Sequence, residues 1–136
     1  MKNENSIFIV DPNLSARRGL TRLLSASGYS ILQFASVNEF RDALDSEVTG
    51  CAVLDISQAS MPARELETVL KACSQNLSII IVSEENQDTR RIAQAINAEG
   101  FFRKPVDGPA LLDAIKWTLR KKADKGNNHK NNIASK

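Results

Sequence analysis

The chain has 136 residues, 42% hydrophobic and 25% charged, with a formal net charge of +2, which is an ordinary globular composition sized for one domain. No purely apolar run exceeds about four residues, far short of a bilayer span, and the start, Met1-Lys2-Asn3-Glu4-Asn5, lacks the apolar stretch of a secretory signal, so a cytoplasmic location is expected. Residues 1–120 carry 13 Lys/Arg against 15 Asp/Glu, so the positive excess lies in residues 121–136, and direct nucleic-acid binding by the body is not expected.

The first strand is the run Ile7, Phe8, Ile9, Val10, ending at Asp11. A helix follows between Ser15 and Ser27, with Ala16, Leu20, Leu23 and Leu24 at helical spacing and Gly28 as its stop. A second strand starts near residue 30. Ser36-Val37-Asn38-Glu39 then forms a capping box opening a second helix whose Phe40, Ala43 and Leu44 should face inward. The third strand, Cys51, Ala52, Val53, Leu54, ends at Asp55 and a polar stretch through Ser57 and Ser60. Leu66, Val69, Leu70 and Cys73 mark the third helix. Ile79, Ile80, Ile81 and Val82 form a fourth strand ending at Ser83. Ile92, Ala93 and Ile96 mark the fourth helix, closed by Asn97, a residue that tolerates the left-handed conformation. A short strand, Gly100-Phe101-Phe102-Arg103, leads into Lys104-Pro105. Asp107 caps a fifth helix bearing Leu111, Leu112, Ile115 and Leu119, with Trp117 read as helix packing. Residues 122–136 are polar and basic, with too little apolar surface to offset ordering entropy, and are read as a disordered tail or linker.

Strand starts near residues 7, 30, 51, 78 and 100 leave room for one crossover helix each, the spacing of βαβ units in a parallel sheet. In such a sheet, ligands sit at the carboxyl ends of the strands. Asp11, Asp55, Ser83 and Lys104 all fall there, giving two carboxylates, a hydroxyl and an ammonium suited to phosphoryl chemistry. Cys51 and Cys73 lie in apolar contexts without metal-ligand spacing and are read as structural. The single histidine, His129, falls in the tail, which leaves the folded part without a histidine base, a Ser/His/Asp triad or a histidine metal site.

The order of these residues is similar to the receiver domain of bacterial two-component response regulators, over residues 6–121. An acid follows the first strand, an aspartate the third, a serine the fourth and Lys-Pro the fifth; Phe101 sits where the family carries its switch aromatic. The segment Phe34-Ala35-Ser36-Val37-Asn38-Glu39-Phe40 also resembles receivers attached to helix-turn-helix output domains. The resemblance implies an α/β fold, a doubly wound, flavodoxin-like five-stranded parallel sheet of order 2-1-3-4-5. It implies Asp55 as phosphoacceptor, assisted by Ser83 and Lys104, with Ser83 and Phe101 as the switch pair. Mg²⁺ would be held by Asp11, Asp55 and the backbone carbonyl of Ser57. Implied partners are a histidine kinase or phosphotransfer protein, docked near Arg17 and Arg18. An output protein or a second copy would bind the face of the fourth helix, fifth strand and fifth helix. No membrane partner is implied, and no enzymatic activity beyond self-phosphorylation from a phosphodonor and autodephosphorylation.

Two departures stand out. The family carries two consecutive acids after the first strand, and here Asp11 is followed by Pro12 and Asn13. Proline has no carboxylate, so weak Mg²⁺ binding is expected, with Asn13 able to offer a neutral oxygen only from a shifted position. Where receivers often carry Met-Pro after the acceptor, this chain has Gln58-Ala59, with Met61-Pro62 arriving three residues late and Ala63 in place of a glycine. The competing function is a degenerate receiver that binds partners independently of phosphorylation. A flavodoxin-like cofactor binder fits the fold but lacks a glycine-rich phosphate loop among its six glycines.

Overall fold

Alternation of strand and helix along the chain produces a single parallel sheet in the computed structural model, which describes residues 6–45, 48–57, 61–84 and 87–134, with side chains as far as residue 121. The elements are β1 Ser6–Val10, α1 Leu14–Ala26, β2 Ser30–Phe34, α2 Val37–Ala43, β3 Gly50–Asp55, α3 Ala63–Cys73, β4 Leu77–Ser83, α4 Gln87–Ala95, β5 Gly100–Arg103 and α5 Gly108–Ala134. All pairings are parallel and the strand order is β2-β1-β3-β4-β5, as the resemblance implies. Among the described residues no helix is long and apolar enough to cross a membrane.

The central strands are mostly apolar because both faces of the sheet are covered. Successive side chains alternate between faces. Phe8, Val10, Ala52, Leu54, Ile79 and Ile81 therefore enter one core, with Phe40 of α2, Leu66 and Leu70 of α3, and Ile92 and Ile96 of α4. Ile7, Ile9, Cys51, Val53, Ile80 and Val82 enter the other, against Leu24 of α1 and Leu111 and Ile115 of α5. Cys51 and Cys73 are both buried, and burial raises the Cys73 pKa despite the opposing charge of Arg41.

Helix punctuation follows the sequence. Ser36 caps α2 by accepting the Glu39 N–H at 3.1 Å, and Asp107 caps α5 by accepting the Ala110 N–H at 3.0 Å. Asn97 adopts φ 54° where α4 ends. Pro62 is the N-cap residue of α3, supplying entry geometry and no side-chain hydrogen bond. Gln58 and Ala59 lie outside the described residues.

Two expectations need correction. Ala43 is exposed, because α2 ends at that residue and only Val37 and Phe40 are buried along it. Trp117 is 63% exposed: the α5 stripe runs Leu111, Ile115, Thr118, which turns position 117 outward. The helical backbone of α5 extends to Ala134. No proline interrupts residues 110–134, so nothing there removes a helical N–H.

Two glycines carry the connections through left-handed backbone. Gly28, at φ 94°, ends α1 with open space around a notional Cβ, whereas Gly50, at φ 131°, opens β3 with its Cα facing the Ser6 carbonyl oxygen, into which a Cβ would collide. Gly28→Ala should therefore cost about 1 kcal/mol from backbone strain alone. Gly50→Ala should cost more, roughly 2–4 kcal/mol, because the β1–β3 ladder must also shift. Urea unfolding of both variants checks the order; equal losses would show that the close approach to Ser6 is unimportant.

Candidate functional site

Register decides which side chains meet. Val10 pairs with Leu54, Asp55 with Val82, and Ser83 with Arg103. Asp11, Asp55, Ser83 and Lys104 thus emerge within about two residues of each other at the carboxyl edge of the sheet, where open α/β folds hold ligands. Asp11 is 1% exposed, Asp55 6% and Ser83 fully buried.

The ammonium of Lys104 lies between the two acids. Its Nζ is 3.3 Å from Asp11 Oδ2 and also contacts Asp55 Oδ2. Burial disfavours the charged ammonium, but the hydrogen bond to Asp55 and the charges of Asp55 and Asp11 outweigh it, so the Lys104 pKa is raised. The Lys104 backbone is fixed as well, its N–H donating to the Ser83 carbonyl at 3.0 Å.

The remaining carboxylate oxygens have donors of their own. Asp11 Oδ1 accepts the Asn13 N–H at 2.9 Å, and Asp55 Oδ1 accepts the Ser57 N–H at 2.8 Å together with the Ser57 hydroxyl. The Ser57 hydroxyl is a contact that the sequence reading missed, having assigned only that residue's backbone carbonyl. The cue was present: Asp-x-Ser after a strand is the pattern of a side-chain-to-backbone turn. Asn13 does not offer its oxygen to the site. Its Oδ1 accepts the Ala16 N–H at 2.8 Å and caps α1. Arg17 reaches back from the first turn of α1, its Nη1 donating to the Asp11 carbonyl at 2.7 Å. Ser83 directs its hydroxyl to the carbonyl of Glu84 at 2.7 Å.

For a divalent cation the oxygen chemistry fits, with few donors. Asp11 and Asp55 are two hard carboxylates at neighbouring strand ends, and Mg²⁺ commonly takes one or two carboxylates and keeps several waters. Among the described residues, no group of three His, Cys, Asp or Glu side chains could hold a metal ion. Pro12 is exposed and supplies no ligand where a second acid would stand.

Phe101, on β5, is half-buried against the core shared with α2, α3 and α4, and the Arg90 guanidinium lies over its ring. Beside the acids, an open cleft of about 750 Å³ runs between α1 and the β5–α5 connection. It is lined by Ala16, Gly19, Leu20, Leu23 and Val106, with Asp11 and Lys104 also on its wall.

A family model for the response regulator receiver domain matches residues 7–116. The transcriptional regulatory protein TdiR of Thauera aromatica is 35% identical over 130 residues, 92% of this chain and 57% of TdiR. The transcriptional regulatory protein FixJ of Azorhizobium caulinodans is 26% identical over 121 residues, 88% of this chain and 57% of that protein. Among solved structures, the response regulator StyR aligns with a TM-score of 0.76 at 30% identity, covering 95% of this chain and 66% of that one. Full-length FixJ from B. japonicum aligns with a TM-score of 0.78 at 26% identity, covering 96% and 66%. This chain thus spans little more than half the length of these curated relatives.

The raised pKa of Lys104 has a pH signature. Its contribution to stability is fully present below the unfolded value of 10.5 and is lost as pH rises through the higher folded value. Urea unfolding at pH values above about 10 should show an alkaline loss of stability that is reduced in Lys104→Met, the remainder coming from Tyr29 and Cys73, whose pKa values burial also raises. The same variant should already be less stable at neutral pH, since it leaves two buried carboxylates side by side. An unchanged alkaline limb in Lys104→Met would refute this assignment.

Proposed function

The chain belongs to the response regulator receiver domain family of two-component signalling, and on that premise we propose that it accepts a phosphoryl group on Asp55 and signals by changing its affinity for a partner. The observation that carries the proposal is the grouping of Asp55 with Asp11 and Lys104 at one sheet edge, two nearly buried carboxylates sharing one ammonium. We assign residues 1–121 to the receiver and residues 122–136 to a following segment. The reading carries with it a cytoplasmic location.

Phosphoryl transfer asks mainly for positioning and charge neutralisation. A carboxylate oxygen of Asp55 attacks phosphorus, the donor group leaves, and an acyl phosphate remains on Asp55. Lys104 already touches Asp55, so a small movement moves its charge from a carboxylate oxygen to a phosphoryl oxygen. Ser83 gives up its bond to the Glu84 carbonyl and donates to the new group instead, drawing the β4–α4 connection with it. Phe101 then reorients, and the surface of α4, β5 and α5 changes for an output protein or a second copy. Water attack on the acyl phosphate resets the site.

Asp11, Asp55 and the backbone carbonyl of Ser57 would hold Mg²⁺, which when bound supplies neutralising charge to the phosphoryl oxygens. The acids must release part of their hold on Lys104 to do so, and Pro12 adds no charge. Both effects favour a weakly held ion. The cleft beside α1 suits the donor: Gly19 has no heavy atom within 4 Å of a notional Cβ, leaving room for a helix of a histidine kinase or phosphotransfer protein to approach Asp55.

Two measurements test the proposal. Intact mass after incubation with Mg²⁺ and a small phosphodonor should show one added phosphoryl group, absent in Asp55→Asn; a group retained in Asp55→Asn would locate the acceptor elsewhere, and none on the parent protein would favour the phosphorylation-independent module. Calorimetric titration should show that Pro12→Asp binds Mg²⁺ at least about tenfold more tightly, one added carboxylate beside the ion contributing on the order of 1.4 kcal/mol. Equal or weaker binding in a folded Pro12→Asp protein would contradict the role given to Pro12.

A further inference from the structure

We propose that Arg90 is a positioning residue that latches Phe101 in its resting place, so that the resting state of the receiver is set by a cation–π contact between α4 and β5. The inference rests on the switching role proposed above for Phe101 and names what opposes the switch.

The geometry is specific. The Arg90 guanidinium carbon lies 5.1 Å from the centroid of the Phe101 ring, within the range in which a cation is attracted to the ring face. The ring also packs against the core beneath α4. Phe101 is thus held by apolar packing and by the guanidinium over its ring. Around the guanidinium the structure is open: Arg90, Ala93, Gln94, Asn97, Ala98 and Phe101 line a cleft of about 430 Å³. Small side chains at 93 and 98 leave the ring free to move once the guanidinium leaves.

The latch joins two parts that the acceptor site addresses separately. Arg90 lies on α4, directly after the connection that Ser83 begins, and Phe101 lies on β5, three residues before Lys104. Ile81 pairs with Phe101 and Ser83 with Arg103, so both ends of the contact are tied by short backbone paths to Ser83 and Lys104 at the strand ends beside Asp55. When Ser83 and Lys104 are drawn toward a phosphoryl group, α4 and β5 are displaced relative to each other, and the Arg90–Phe101 contact lies across that displacement. Its loss in the active state is a differential interaction of the kind that shifts a two-state population. Arg91, on the same turn, instead faces Asp88 at 3.8 Å and supplies a charge-matched control.

The test compares Arg90→Ala, Arg90→Lys and Arg91→Ala, alone and in a Phe101→Leu background. In unphosphorylated protein, aromatic NMR should show the Phe101 ring displaced in Arg90→Ala, partly restored in Arg90→Lys and unmoved in Arg91→Ala. Phosphodonor labelling followed by intact mass should be faster in Arg90→Ala by roughly 2- to 5-fold, the scale of an exposed cation–π contact, and unchanged in Arg91→Ala. The effect should disappear in the Phe101→Leu background, because the cycle isolates the pair. An unmoved ring in Arg90→Ala, equal effects of the two arginines, or an Arg90 effect that survives Phe101→Leu would each overturn the latch. A ring that responds to Arg90 in a protein that takes no phosphoryl group would retain the latch and reject the acceptor reading.

Discussion

Two carboxylates with almost no access to water stand side by side at the edge of this sheet, and one ammonium makes that arrangement tenable. Without Lys104, Asp11 and Asp55 would repel each other in a medium that screens poorly. With it, each oxygen of both acids has a protein donor: Lys104 for one oxygen of each, Asn13 and Ser57 for the others. The parallel sheet is what makes this meeting possible. Asp11, Asp55 and Lys104 are far apart in the chain, and only strands that share direction and register deliver all three to one edge. The charge that settles the resting site is also the charge a phosphoryl group would meet first, so resting stability and reactivity depend on one side chain.

The β1–α1 turn shows how local demands shape that site. Asp11 closes a short turn onto the Asn13 N–H, Asn13 caps α1, and Arg17 returns to the Asp11 carbonyl. Pro12 is exposed in the middle of this arrangement. The turn thus satisfies the start of the helix from within. Under the proposed function, the lack of a second carboxylate at Pro12 would favour the internal cation over a bound one.

Helix starts and the strand ends that gather Asp11, Asp55 and Lys104 were legible in the residues because they depend on local patterns, whereas the strand order came from the family resemblance. Apolar runs ending in polar residues mark buried strands, and Ser36, Asp107 and Asn97 act on backbone within a few positions of themselves. What escaped depends on phase or on direction. Ala43 fits the helical spacing, but α2 stops there, and Trp117 looks like core until the α5 stripe shifts to Thr118. Asn13 and Ser57 were visible as polar residues near the site, yet the choice between capping a helix, holding a carboxylate and facing a ligand is made by χ angles that no spacing encodes. The Arg90–Phe101 contact joins two elements and leaves no trace in either alone.

One feature of α5 bears on how far a change at the sheet edge can reach. The helix starts beside the carboxyl edge of the sheet, where Gly108 meets Leu23, and passes down the sheet to Lys121, which pairs with Glu99 at the opposite edge at 3.1 Å. Its backbone then continues to Ala134, a rod of about 20 Å past that pin. A rod pinned near its middle is a lever. Tilting it by about 5° at Glu99 would carry its far end by nearly 2 Å at that length, so displacements too small to rearrange the sheet become displacements large enough to make or break a contact.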